Sequence, residues 1–237
     1  MKYINTIIFD ADDTLWECEP FFQQTKQFVC YLLKDYADEK TLKELIYKNH
    51  IAKLELYGYG VKGYILSLVK TALDVSEMKV STDIIDSIIA LGDTMLNDPI
   101  VLLSGVEQVL KDLKPSYRLV MITKGDLLDQ MNKLKRSGLE EYFEKVEVVS
   151  EKDEATYKQV FEKMGIEPSN ALMVGNSLKS DVLPVVAIGG TGVHVPFEIT
   201  WDHEKIEKEI DNDRIFELKS ITDLVKLLQK EKIKEVV

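Results

Sequence analysis

The run Ile7-Ile8-Phe9-Asp10-Ala11-Asp12-Asp13-Thr14-Leu15 decides how the whole chain is read. Its first three residues are β-branched or aromatic and bounded by polar positions, the pattern of a short buried strand. Two carboxylates separated by one residue follow at the C-terminal end of that strand. Open α/β sheets place their ligand crevice at that end. Side chains two apart on an extended segment share a face, so Asp10 and Asp12 are expected to serve one site.

Working outward, the chain has two textures. From Pro20 to about Asn97 it is helix-rich: Phe21–Tyr36, Asp38–Leu56, Val61–Leu73 and Ser81–Met95 each carry apolar residues at helical spacing. The segment Tyr57-Gly58-Tyr59-Gly60-Val61-Lys62-Gly63 interrupts this block. Helices in succession without a strand between them predict a small bundle. From Ser104 the pattern becomes βα alternation. Helices are predicted over Gly105–Lys114, Leu127–Ser137, Glu154–Met164 and Leu178–Ile188, the last in spite of Pro184. Strands are predicted over Arg118–Thr123, Lys145–Val149, Ala171–Val174, Gly192–Val195 and Ile215–Leu218. Gly138 and Gly165 close two of the helices. Ser220, with Asp223 three residues on, is placed to cap a last one. Repeated βα units predict a parallel sheet covered by helices, here interrupted after its first strand by the helical block.

Composition sets bounds. The 237 residues suffice for one large domain or two modest ones, and 45% are hydrophobic, as in ordinary globular proteins. No apolar run approaches a membrane span, and the first residues lack the organisation of a secretory signal. A formal charge of −11 argues against a general nucleic-acid surface, which needs clustered Lys and Arg. It leaves room for small anionic substrates, because a divalent cation and one lysine can reverse the sign locally. Cys18 and Cys30 form neither a CxxC nor a zinc pattern, so a reduced, cytoplasmic setting is the expectation. His50, His194 and His203 are scattered, with no metal-like spacing.

The spacing D-x-D-x-T after an apolar strand resembles the first motif of the haloacid dehalogenase-like (HAD) hydrolases. The resemblance extends over nearly the whole chain, because a helical block between the first and second motifs is the arrangement of the C1-capped members. It implies a Rossmann-like α/β core over residues 1–16 and 98–237, with a helical cap over 17–97. It also implies a phosphatase that works through an aspartyl-phosphate intermediate. Unaided phosphate monoester hydrolysis is extremely slow, and its catalysis is mainly positioning and electrostatic stabilisation.

By this resemblance Asp10 is the nucleophile and Asp12 the general acid, then the base that activates water. Leu119-Val120-Met121-Ile122-Thr123 fits the second motif, with the Thr123 hydroxyl donating to a phosphate oxygen. Lys124 and Gly125 follow where many members carry Asn, and both are candidates for contacting substrate. The third motif is a lysine ahead of a helix. Lys152 occupies that place, without the prolines common in relatives, and would hold Asp10 ionised and oriented. Lys158, inside the predicted helix, is its rival. The fourth motif, usually G-D-x-x-x-x-D, reads Gly175-Asn176-Ser177-Leu178-Lys179-Ser180-Asp181. Asn176 replaces its first acid. The implied cofactor is Mg²⁺, held by the Asp10 carboxylate, the Asp12 main-chain carbonyl and Asp181, with Asn176 holding a metal-bound water.

In C1-capped relatives the cap selects the leaving group, with Leu15-Trp16-Glu17-Cys18-Glu19 near the hinge. Tyr59 and Lys62 are candidate substrate contacts, although a plain helix–helix turn explains them as well. Gly192–Phe197, Trp201 and His203 are expected in an apolar surface loop that is able to rim the crevice. The substrate implied is a small phosphorylated metabolite: phosphoglycolate, a sugar phosphate or a nucleoside monophosphate. Four alternatives stay open. A haloacid dehalogenase generally lacks the second acid of the first motif. A phosphonate hydrolase needs a Schiff-base lysine among Lys26, Lys43, Lys53 and Lys62. A phosphomutase and a non-catalytic binding module on the same scaffold complete the set. The sequence specifies no oligomeric state.

Overall fold

The computed structural model describes residues 4–206 and 210–234. Two compact units emerge. One comprises Met1–Glu19, Ile100–Thr123 and Met131–Val237; the other comprises Pro20–Pro99 and Lys124–Gln130.

In chain order the elements are β1 (Thr6–Phe9), α1 (Glu19–Leu32), α2 (Glu39–Tyr57), α3 (Val61–Val75), α4 (Thr82–Asn97), α5 (Val106–Leu113), β2 (Arg118–Lys124), α6 (Leu127–Ser137), β3 (Lys145–Val149), α7 (Glu154–Met164), β4 (Ala171–Gly175), α8 (Leu183–Ala187), β5 (Thr191–His194), β6 (Ile215–Glu217) and α9 (Leu224–Lys234). The strands form one sheet in the order β3-β2-β1-β4-β5-β6. Phe9 is level with Met121 on one side and Val174 on the other, in parallel register. The C-terminal ends of β1, β2 and β4 therefore open on the same edge. The strand order reverses direction at β1 and β4, the topological switch point where doubly wound sheets bind ligands.

Alternation along the strands builds a core on each face of the sheet. Ile7, Phe9, Leu119, Met121, Leu172, Val174 and Val193 pack with Val106, Val109 and Leu110 of α5 and Leu224 and Leu228 of α9. The intervening residues Ile8, Val120, Ile122 and Met173 pack on the other face with Tyr157, Val160 and Phe161 of α7 and Val185 of α8. With both faces covered, strands need near-continuous apolar runs, which is what β1, β2 and β4 carry.

The helical unit has its own core. Val29, Cys30 and Leu33, Leu42 and Ile46 of α2, Tyr64, Ile65 and Leu68 of α3 and Ile88 of α4 come together in it. Two of its helices begin on side-chain caps: Asp38 accepts from the Thr41 amide (3.0 Å) and Ser81 from the Ile84 amide (3.4 Å). Tyr59 sits beneath the Lys124 ammonium (4.2 Å to the ring centroid), and Lys62 pairs with Asp126 (3.0 Å), all within this unit.

Two predicted helices differ from what forms. The stretch expected as one helix over Leu178–Ile188 is a π-helical turn, Leu178–Val182, followed by α8. Pro184 has no N–H to donate back along the turn and is tolerated in the first turn of a new helix. The amide of Leu183 instead reaches the carbonyl of Leu178, five residues back. At the C-terminal end, Ser220 caps a short 3₁₀ turn over Ile221–Asp223, accepting from the Thr222 amide, and α9 continues from it. No helix among the described residues is long and apolar enough to cross a membrane.

Candidate active site

β1 ends at Phe9, and the amide of Asp10 still donates to the Val174 carbonyl of β4 (2.9 Å), so the Asp10 backbone is fixed at the sheet edge. Beyond it the chain turns. Asp13 has φ 59°, a left-handed conformation that Asp tolerates better than most residues. Its carboxylate accepts from the amides of Cys18 (2.8 Å) and Glu19 (3.1 Å), the start of α1. Thr14 folds back over the site. Its hydroxyl donates to Asp10 Oδ2 (3.0 Å) and lies 3.3 Å from Asn176 Oδ1, while accepting from the Asn176 amide (3.0 Å).

Lys152 follows β3 and immediately precedes Asp153, which caps α7 through the Thr156 amide (2.7 Å). The residue is 4% exposed, and its ammonium donates to Asp10 Oδ1 and, at 2.6 Å, to Asp181 Oδ1. Lys158 is exposed on α7. The structure thus brings Asp10, Lys152 and Asp181 into one buried cluster at the switch point. Thr123 is buried at the end of β2 on the same sheet edge.

The π turn aims Asp181 into this cluster. Asp181 Oδ2 accepts from the Ser177 amide (3.0 Å). A Cβ built on Gly175 would lie 2.2 Å from Asp181 Oδ2, so only glycine lets the carboxylate pass close to the β4 backbone. Ser177 and Ser180 both donate hydroxyls to Glu204 Oε2 (2.5 and 2.6 Å), and His194 Nε2 meets the Asn176 carbonyl (3.1 Å). Of the loop expected to rim the crevice, His194 thus braces the fourth-motif turn. The main chain of His203 accepts from Lys179, and its ring meets that of Trp201 in a tilted contact, 5.0 Å between centroids.

Asp10 binds Thr14 and Lys152, whereas Asp12 is held by a different pair. The Asp12 carboxylate turns to Trp16 Nε1 (2.7 Å) and Lys133 Nζ (3.2 Å), both donating to Oδ1. Lys133 lies on α6, outside the four motifs. It was not legible because a single lysine at helical spacing looks like solvated surface. Thr14 was read only as the last letter of the D-x-D-x-T spacing, and the bracing of Ser177 and Ser180 was not legible because their partner Glu204 lies 27 and 24 positions away.

Electrostatics follow from burial. Burial, reinforced by the Asp181 charge and opposed by Lys152, pushes Asp10 up to about 7. Burial works against the charge on Lys152, but Asp10 and Asp181 overcome it and hold the ammonium well above its usual range. Burial lifts Asp13 to about 8 against the pull of its backbone donors. Two facing carboxylates with one ammonium leave a buried excess of negative charge, which a cation would relieve. Among the described residues no three His, Cys, Asp or Glu side chains form a ready cage. A Mg²⁺ ion does not require one, since it is usually held by one or two carboxylates and keeps several waters. The donor set fits that habit.

A family model described as haloacid dehalogenase-like hydrolase matches residues 4–189. The chain is 27% identical over 216 residues to the glyceraldehyde 3-phosphate phosphatase of Methanothermobacter thermautotrophicus, covering 86% of this chain and 92% of that one. It is 23% identical over 193 residues to the N-acylneuraminate-9-phosphatase of Mus musculus, covering 77% and 78%. Among solved structures, a haloacid dehalogenase-like family hydrolase from Xanthomonas campestris superposes with a TM-score of 0.87 at 32% identity, over 98% of this chain and 94% of that one.

Proposed function

The chain belongs to the haloacid dehalogenase-like hydrolases, and we propose that it is a Mg²⁺-dependent phosphomonoesterase for a small phosphorylated metabolite. The observation that carries this reading is the buried Asp10–Lys152–Asp181 cluster at the sheet's switch point. The phosphatase names of the two relatives support the reaction class.

In this reading an Asp10 carboxylate oxygen attacks phosphorus in line and the ester P–O bond breaks. Asp12 gives its proton to the departing alkoxide oxygen. Asp12, now a carboxylate, takes a proton from water as the water oxygen attacks phosphorus. The bond to Asp10 then breaks, releasing inorganic phosphate and restoring both side chains. Lys152 keeps Asp10 aimed and offers positive charge to the transferring group, and the Thr123 hydroxyl donates to a phosphoryl oxygen. Thr14 restrains Asp10 from the opposite side. The Asp10 and Asp181 carboxylates, the Asp12 carbonyl and, through water, Asn176 would hold Mg²⁺. The ion, when bound, neutralises charge building on the phosphoryl oxygens.

A Schiff-base route is disfavoured at Lys43. That mechanism needs an amine of lowered pKa, whereas the Glu39 carboxylate holds Lys43 above its usual range.

The test is phosphate release from p-nitrophenyl phosphate and from a panel of alkyl phosphates, with Mg²⁺ and with chelator. The proposal expects turnover that needs the metal and falls by about a thousandfold or more in Asp10→Asn. Equal turnover with and without metal, or an active Asp10→Asn protein, would overturn it.

A further inference from the structure

Asp12 is held by side chains that no motif includes. Trp16 is fully buried. Its backbone bridges to Asp12 and to Leu102, and its carbonyl accepts from the Asp13 amide (2.7 Å). The indole is therefore locked, and its Nε1–H is aimed at Asp12 Oδ1 (2.7 Å). Lys133 reaches the same oxygen from α6 (3.2 Å), and its side chain is only 12% exposed. Burying a lysine head group is costly unless it meets an acceptor, and Asp12 supplies one. The Cys18 sulfur also lies near the ammonium, at 3.8 Å. Trp16 holds Oδ1 while Lys133 spans both oxygens, 3.2 Å from Oδ1 and 3.5 Å from Oδ2, so together they fix the rotation of the carboxylate.

We infer that Lys133, with Trp16, is a positioning residue that aims the Asp12 carboxylate for proton transfer. This rests on Asp12 being the proton carrier of the proposed reaction. Lys133 acts through its hydrogen bonds to Asp12, so the steps that need a proton moved are the ones expected to feel its loss. A small displacement of a catalytic group costs on the order of a hundredfold. Nitrophenolate leaves without protonation. An alkoxide needs the proton, and the water that cleaves the aspartyl-phosphate must give one up.

The experiment compares wild type, Lys133→Met, Lys133→Arg and Trp16→Phe in rapid mixing and steady state, with Mg²⁺ present. For Lys133→Met the expected result has three parts. The nitrophenolate burst from p-nitrophenyl phosphate proceeds at close to the wild-type rate. Steady-state kcat on an alkyl phosphate falls by about a hundredfold with KM little changed. The Mg²⁺-induced rise in melting temperature is retained. Lys133→Arg recovers kcat to within about tenfold, since it keeps the charge and the donors. Trp16→Phe, which keeps the ring and loses the donor, shows the same split on a smaller scale. Equal losses in burst and alkyl turnover, or no loss in either, would overturn the inference about Lys133 while Asp10-dependent turnover stood. Wild-type protein without Asp10-dependent turnover would overturn both readings.

Discussion

One ammonium serves two carboxylates at Lys152, and the energetics of the site turn on that shortage. Removing it strands Asp10 and Asp181, both buried, facing each other. Lys152→Met is expected to destabilise the chelated protein by about 3–5 kcal/mol, measured by urea unfolding, with Mg²⁺ restoring part of the loss. A pH dependence follows from Asp10 and Asp13, held at about 7 and about 8 against an ordinary value of 3.8. Between the ordinary value and these, the fold keeps protons that the unfolded chain has released. Stability is therefore fully present at the acid end of that window and is lost as pH rises through 7 and then 8. Melting temperatures in chelator should fall from about pH 5 to about pH 8.5, and Asp13→Asn should flatten the slope, Asn also tolerating the left-handed turn. Asp10 and Lys152 were legible because they stand at the end of an apolar strand and ahead of a helix, and Asp181 because of its spacing after β4 in the fourth motif. Their service partners were not. Thr14 to Asn176 spans 162 positions and Lys133 to Asp12 spans 121, and no local period encodes such pairs.

Among the elements, the β4–π-turn junction does the most to shape the site. β4 ends in Gly175, the turn swings Asp181 back across it, and the Glu204 carboxylate ties down Ser177 and Ser180. Gly175→Ala forces the Asp181 carboxylate to move, because the added Cβ would sit 2.2 Å from its oxygen. The expected outcome is a folded protein whose Mg²⁺ affinity, read by calorimetry, drops by at least about tenfold, with kcat falling in parallel. Unchanged affinity would separate Asp181 from the metal. Periodicity found the residues of this segment but not its geometry. An apolar face repeats almost identically through one turn of α- or π-helix, and only Pro184 hinted at a break. Where caps or closing glycines punctuate the sequence, as at Asp38, Ser81, Asp153 and Gly165, the predicted and observed helices agree to within a few residues.

Across the whole molecule, strand order converts separated motifs into one locus. β1, β2 and β4 end on a single edge, so residues from positions 10, 123 and 175–181 need no long loops to converge. The α/β class was readable from alternating strand and helix patterns, and the helical insertion from the missing strands between Pro20 and Asn97. The order β3-β2-β1-β4-β5-β6 was not, because apolar runs state that strands are buried without stating their neighbours. An overall charge of −11 is compatible with the anionic substrate proposed, because charge would be decided locally, at Lys152 and at a bound Mg²⁺. The central claim is that Asp10 carries the phosphoryl group in transit. Mixing the Mg²⁺-loaded protein with a phosphate-labelled ester, quenching in acid within the first turnover and mapping peptides tests it directly. The account predicts label on the peptide containing Asp10, released by hydroxylamine and missing in Asp10→Asn. Label on another residue, or full turnover with no labelled protein at any quench time, would contradict it.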